Sequence, residues 1–81
     1  MARVGDVITI LRKSRGITQA GLADQVGVSQ VAVARWEANE RQPDDERLAQ
    51  VAAILGVTER LLRHGDQFSG GLAMEAHMRR Q

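Results

Sequence analysis

Glycine sets the punctuation of this chain. Gly16, Gly27, Gly56 and Gly65 stand at the ends of short apolar-periodic stretches, the Gly70-Gly71 pair makes a further break, and the only proline is Pro43. A chain interrupted this often cannot build a long helix or a coiled coil, and glycine just past a periodic segment is a common left-handed stop of an α-helix. The pattern predicts several short helices joined by tight turns.

The side-chain spacing fills in those helices. Val4, Ile8 and Leu11 fall at i, i+4 and i+7, which predicts a first helix over 4–15, closed by Gly16 after Lys13 and Arg15. Thr18 is a suitable N-cap for a second helix carrying Leu22, Ala23 and Val26 and ended by Gly27. Ser29 can cap a third, with Val33 and Trp36 as its apolar edge and Asn39, which tolerates positive φ, at its end. Asp44 starts a fourth with Leu48, Val51, Ala52 and Leu55, its first turn acidic at Asp45 and Glu46 and its stop at Gly56. Thr58 caps a fifth, short one with Leu61 and Leu62, ended by His64-Gly65. No stretch longer than four residues alternates with period two, so the fold class is all-α. The domain is expected over 1–65. Residues 66–81 read as a partly ordered tail in which Leu72 to Arg80 can form a helix with Met74 and Met78 on one face.

Composition limits what such a module does. At 81 residues there is room for one small core and too little chain for most enzyme scaffolds. The absence of cysteine removes disulfides, Cys-ligated zinc and a thiol nucleophile at once, and fits a reducing, cytoplasmic setting. No apolar run is long enough for a membrane span, so no membrane partner is expected. His64 and His77 lie thirteen apart without a metal-ligand motif, and no nucleophile elbow or phosphate loop is present; neither catalysis, a metal nor another cofactor is expected. The formal net charge of +1 does not by itself announce a nucleic-acid partner. Its distribution is more telling: residues 1–41 hold six basic and four acidic side chains, whereas 42–65 hold three and four.

From Gln19 to Ala38, residue size carries information. Ala23 offers only a methyl where the second helix must approach the third, Gly27 can supply the turn's positive φ, and Leu22, Val26, Val28, Val33 and Trp36 can fill the space beneath. This spacing resembles the DNA-binding helix-turn-helix. The stretch RKSRGITQAGLADQVGVSQVAVARWEANERQPDDERLAQVAAILGV is similar to the Cro/C1, or phage-repressor and XRE, type of that family. The resemblance covers about residues 4–65. It rests on Arg12 four before Gly16, Thr18-Gln19, Leu22-Ala23, Gly27, Trp36-Glu37, Pro43 and the closing Leu-Gly-Val. It implies a five-helix, lambda-repressor-like domain with the helix-turn-helix at the second and third helices.

At 100° per residue, Gln30, Val31, Ala34, Arg35 and Ala38 project to one side of the third helix and Val33 and Trp36 to the other. Glutamine and arginine have the donor and acceptor geometry for adenine and guanine edges, a valine can meet a thymine methyl, and two alanines let the backbone come close. Base contacts are accordingly expected from Gln30, Val31 and Arg35. Gln19, at a helix start, suits a phosphate, as does Ser29 beside its capping role. Asn39 and Arg41 are placed to clamp the DNA backbone beyond the groove, although the family usually has glycine at Asn39 and Glu40 would repel phosphate. The family also pairs the positions of Arg12 and Glu37, which implies a structural ion pair.

The function expected is a transcriptional regulator on double-stranded DNA, acting as a homodimer on two half-sites, with Leu61 and Leu62 among the candidates for pairing. The alternative is a protein-interaction module of the antitoxin or adaptor kind on the same fold, with a protein partner over the third helix. A further reading makes the chain the DNA-binding fragment of a longer XRE regulator, since FSGGLAMEAHMRRQ is faintly similar to segments that follow this domain in such proteins.

Overall fold

Four of the five helices begin on a side-chain oxygen that takes up a backbone N–H the first turn would otherwise leave unpaired. In the computed structural model, which describes residues 3–64, α1 spans Val4–Ser14, α2 Gln19–Val26, α3 Gln30–Glu37, α4 Asp45–Leu55 and α5 Glu59–Arg63. Thr18 Oγ1 accepts from Gly21 N at 2.9 Å, Ser29 Oγ from Ala32 N at 3.1 Å, Asp44 Oδ1 from Arg47 N at 2.8 Å and Thr58 Oγ1 from Leu61 N at 3.1 Å. The first helix starts differently: Asp6 reaches back, and its Oδ2 accepts from Arg3 N at 3.1 Å. The all-α, five-helix expectation holds, with α1 stopping at Ser14 because Arg15 already serves as its C-cap. Gly65, the expected tail over 66–81 and its helix with Met74, His77 and Met78 lie outside the described residues.

Between α2 and α3 the chain turns through Gly27, whose φ of +84° no L-residue adopts cheaply. There the carbonyl of Ala23 accepts from both Gly27 N at 2.8 Å and Val28 N at 3.0 Å, which seals the end of α2. With Ala23 buried at the crossing, α2 and α3 make the most extensive contact of any helix pair. Val7, Ile8 and Leu11 of α1, Leu22 and Val26 of α2, Val33 and Trp36 of α3, Leu48, Val51 and Leu55 of α4 and Leu62 of α5 close the core around them. Every helix contributes, which matters because helices of five to eleven residues are not stable alone in water.

A second close approach brings the start of α1 against the end of α3. Gly5 is buried, and a Cβ there would strike the Trp36 carbonyl oxygen and lie 2.7 Å from Asn39 Oδ1 and 2.9 Å from the Glu37 carbonyl oxygen. Asn39, at φ +61°, accepts from Gly5 N through Oδ1 at 3.0 Å and donates from Nδ2 to Asp6 Oδ1 at 3.2 Å. On the other side of α1, Arg15 Nε donates to the Leu55 carbonyl at 2.7 Å, so a basic side chain satisfies an orphan acceptor at the C-terminus of α4.

The two glycines are needed for different reasons, and substitution separates them. Gly5→Ala is expected to cost about 3 kcal/mol or more through backbone overlap, despite the roughly 1 kcal/mol that alanine gains in a helix interior. Gly27→Ala, whose Cβ meets nothing within 4 Å, is expected to cost only about 1–2 kcal/mol for its positive φ. Urea unfolding followed by circular dichroism gives both values. A Gly5→Ala protein as stable as the parent would contradict the crossing.

Candidate nucleic-acid interface

Burying Val33 and Trp36 fixes the rotation of α3, and that rotation decides which residues face outward. Gln30, Val31, Arg35 and Ala38 are exposed and Ala34 is half-buried beside them. Val31 is 58% exposed, and with Ile10 it is one of two large apolar side chains so exposed among the described residues. Val31 therefore stands uncovered between Gln30 and Arg35, on the side of α3 opposite Val33 and Trp36. Neither Gln30 nor Arg35 forms a side-chain hydrogen bond among the described residues, which leaves their amide and guanidinium available.

At the end of α3 the carboxylate of Glu37 turns inward. Arg12 Nε donates to Glu37 Oε2 at 2.6 Å and a second guanidinium nitrogen donates to Oε1 at 3.0 Å, a bidentate pair whose side chains are only 10% and 6% exposed. The remaining terminal nitrogen of Arg12 donates to the Ile17 carbonyl at 2.7 Å, in the loop leading to α2. Gln19, the first residue of α2, adds a donor from Nε2 to Glu37 Oε1 at 3.1 Å. Burial pushes the Glu37 carboxyl up, but the hydrogen bonds from Arg12 and Gln19 and the Arg12 charge outweigh it and hold the group below the ordinary glutamate value.

The candidate backbone-contacting residues fall into two groups. Ser29 is exposed at the cap of α3, where its hydroxyl accepts from Ala32 N and keeps its own proton to donate. Arg41 is exposed in the loop after α3 and has no side-chain partner among the described residues. Gln19 and Asn39 are half-buried and already bonded within the fold, Gln19 to Glu37 and Asn39 to Gly5 and Asp6. Asn39 therefore has both amide atoms engaged on α1 and braces the loop that carries Arg41.

Sequence reading missed several of these contacts. A glycine inside the helical stripe of α1 was the available signal for the tight crossing at Gly5. Nothing local announces that Arg15 reaches the end of α4, or that the Gln19 amide reaches Glu37. An open groove of about 290 Å³ is lined by Val4, Gln42, Pro43, Asp45, Leu48, Arg63 and His64, and shares no residue with the exposed face of α3. Among the described residues no helix is long and apolar enough to cross a membrane, and no three His, Cys, Asp or Glu side chains gather as a metal site.

Two short helices locked at a glycine turn, the second keeping one polar face out of the core, define a helix-turn-helix module. Residues 8–62 match the helix-turn-helix family, and the chain belongs to it, in the Cro/C1 (XRE, phage-repressor) branch. It is 38% identical over 63 residues to Repressor protein C2 of Salmonella phage P22, across 78% of this chain and 29% of that protein. The HTH-type transcriptional regulator YqaE of Bacillus subtilis (strain 168) is 33% identical over 55 residues, across 68% of this chain and 47% of that one. The chain thus spans less than half the length of either relative. The fold is also similar to the crystal structure of the P22 c2 repressor in complex with a synthetic operator, with a TM-score of 0.77, 35% identity, and coverage of 80% of this chain and 98% of that one.

Breaking the buried pair from one side strands a charge. Arg12→Met is expected to cost about 3–5 kcal/mol, and Arg12→Met combined with Glu37→Leu substantially less than the sum of the two single changes. Acid titration provides an independent check. Because the folded Glu37 value is depressed, its contribution is complete above the ordinary, unfolded glutamate value and is lost as pH falls through the lower folded value. Chemical denaturation from pH 7 to pH 2 should show this loss in the parent, and Glu37→Gln should lack that component.

Proposed function

We propose that this chain is a sequence-specific, double-stranded DNA-binding transcriptional regulator that lays α3 in the major groove. The observation that carries this reading is the bare strip of Gln30, Val31 and Arg35 on a helix whose opposite side is locked by Val33 and Trp36. A major groove about 12 Å wide admits one helix, and the half-buried Ala34 and exposed Ala38 put no bulk between backbone and bases. Arg35 suits the O6 and N7 of a guanine, Gln30 an adenine edge and Val31 a thymine methyl. Similarity to a P22 repressor structure containing a synthetic operator supports the same choice of ligand.

Around that strip, phosphates are met by Gln19 and Ser29 at the starts of α2 and α3 and by Arg41 beyond the end of α3, with Asn39 fixing the loop. One such face has few base contacts and little net charge behind it, so useful affinity calls for two copies. Two-fold pairing through the α4–α5 side would present half-sites about 34 Å apart, one helical turn of duplex; of the two expected pairing residues only the half-buried Leu61 can contribute, because Leu62 is fully buried in the core. The setting is the cytoplasm, where such a regulator meets its DNA.

In vitro selection from a random duplex pool is expected to enrich paired half-sites at that spacing. On the selected duplex, Arg35→Ala and Gln30→Ala should each cost about 1–3 kcal/mol and relax the preference at one base position. Arg41→Ala should weaken all duplexes alike and flatten the dependence of log K on log salt by about 0.9. A titration without salt-dependent binding to any enriched duplex would end this reading.

A further inference from the structure

We infer that Glu37 is a positioning residue for DNA binding: its carboxylate, fixed by Arg12, orients the Gln19 side-chain amide so that the second Nε2 proton faces a phosphate. This rests on the reading above that Gln19 meets the DNA backbone.

A glutamine amide carries a donor and an acceptor that exchange places by a half-turn of its last torsion. Toward phosphate only the nitrogen is useful, because the oxygen would meet another acceptor. An ionised carboxylate accepts and never donates, so Glu37 Oε1, 3.1 Å from Gln19 Nε2, binds the amide with its nitrogen inward. The flipped amide would set two oxygens against each other. Of the two Nε2 protons one is then on Glu37, and the other, at about 120° to it, has no hydrogen-bond partner among the described residues and belongs to a half-buried residue at the start of α2.

The carboxylate can serve as a fixed reference because it is itself held. Arg12 grips it through two nitrogens and uses the remaining one on Ile17 O at 2.7 Å, two residues before Gln19. One guanidinium thus sets both the loop entering α2 and the acceptor that turns the Gln19 amide. The arrangement also answers an electrostatic objection. A bare carboxylate hydrogen-bonded to a phosphate-contacting side chain would repel DNA, but Arg12 neutralises it, and the carboxylate is buried while Gln19 is only half-buried. Holding Gln19 in one rotamer before binding removes ordering that a free glutamine would undergo on the duplex.

A double-mutant cycle on the full chain tests this, with affinity for the selected duplex measured for the parent, Gln19→Met, Glu37→Gln and the double variant. Gln19→Met is expected to lose about tenfold, the worth of one hydrogen bond to a charged group. Glu37→Gln should lose several-fold in the parent background and nothing further once Gln19 is methionine. Equal losses from Glu37→Gln in both backgrounds would mean a purely structural role and overturn the inference. So would parent-like binding by Gln19→Met while Arg35→Ala fails to bind, an outcome that leaves the proposed function standing. Absence of duplex binding by the parent would instead remove the function itself, and the inference with it. Should Glu37→Gln not fold, NMR relaxation of the Gln19 Nε2 group in the free parent protein decides. An order parameter near about 0.85 is expected, and one below about 0.6 overturns the inference.

Discussion

A single guanidinium ties α3 to the rest of the molecule. Arg12, on α1, reaches the last residue of α3 and the loop before α2, while Gln19 closes the circuit from the first residue of α2. Hydrophobic contacts alone would let α3 slide or rotate by fractions of an ångström, since they are not directional. A bidentate ion pair at 2.6 and 3.0 Å fixes the end of α3 in both position and rotation. Burying two charges contributes little net stability, because desolvation consumes most of the Coulombic gain. What the pair supplies here is geometric: it defines where the exposed strip of α3 points.

Several smaller contacts work in the same direction. Gly27 lets α2 and α3 cross at a tight turn, and Gly5 lets α1 rest on the carbonyls that end α3. Asn39 takes the left-handed conformation after α3 and binds the first turn of α1, so the loop leading to Arg41 starts from a fixed point. Arg15 anchors the C-terminal carbonyl of α4. By contrast the Arg63–Asp45 pair, at 2.9 Å but exposed on both sides, adds little to stability. The polar contacts that fix the helices relative to one another are the less exposed ones, because they lack water as an alternative partner.

The consequence is that a helix of eight residues is held as a rigid element. Such a helix would not persist in water on its own. Here its N-terminus is capped by Ser29, its inner face is buried and its last residue is held by Arg12. Gln30, Val31 and Arg35 are thereby displayed with little backbone freedom left to lose; in the proposed docking on DNA this would favour discrimination between bases over adaptation to any surface.

Thr18, Ser29, Asp44 and Thr58 as caps, Gly16, Gly27 and Gly56 as left-handed stops, and the division of α3 into a buried and an exposed side were all legible in the sequence, because each follows from residues within about one helical turn. The all-α class and the helix-turn-helix follow from the same local signals. Tertiary structure alone decided that Gly5 is needed for space, that Arg15 serves α4, that Asn39 turns toward α1, and that the Gln19 amide donates to Glu37. Those contacts join residues 18 to 40 positions apart, and their geometry depends on how helices cross, which no local periodicity encodes.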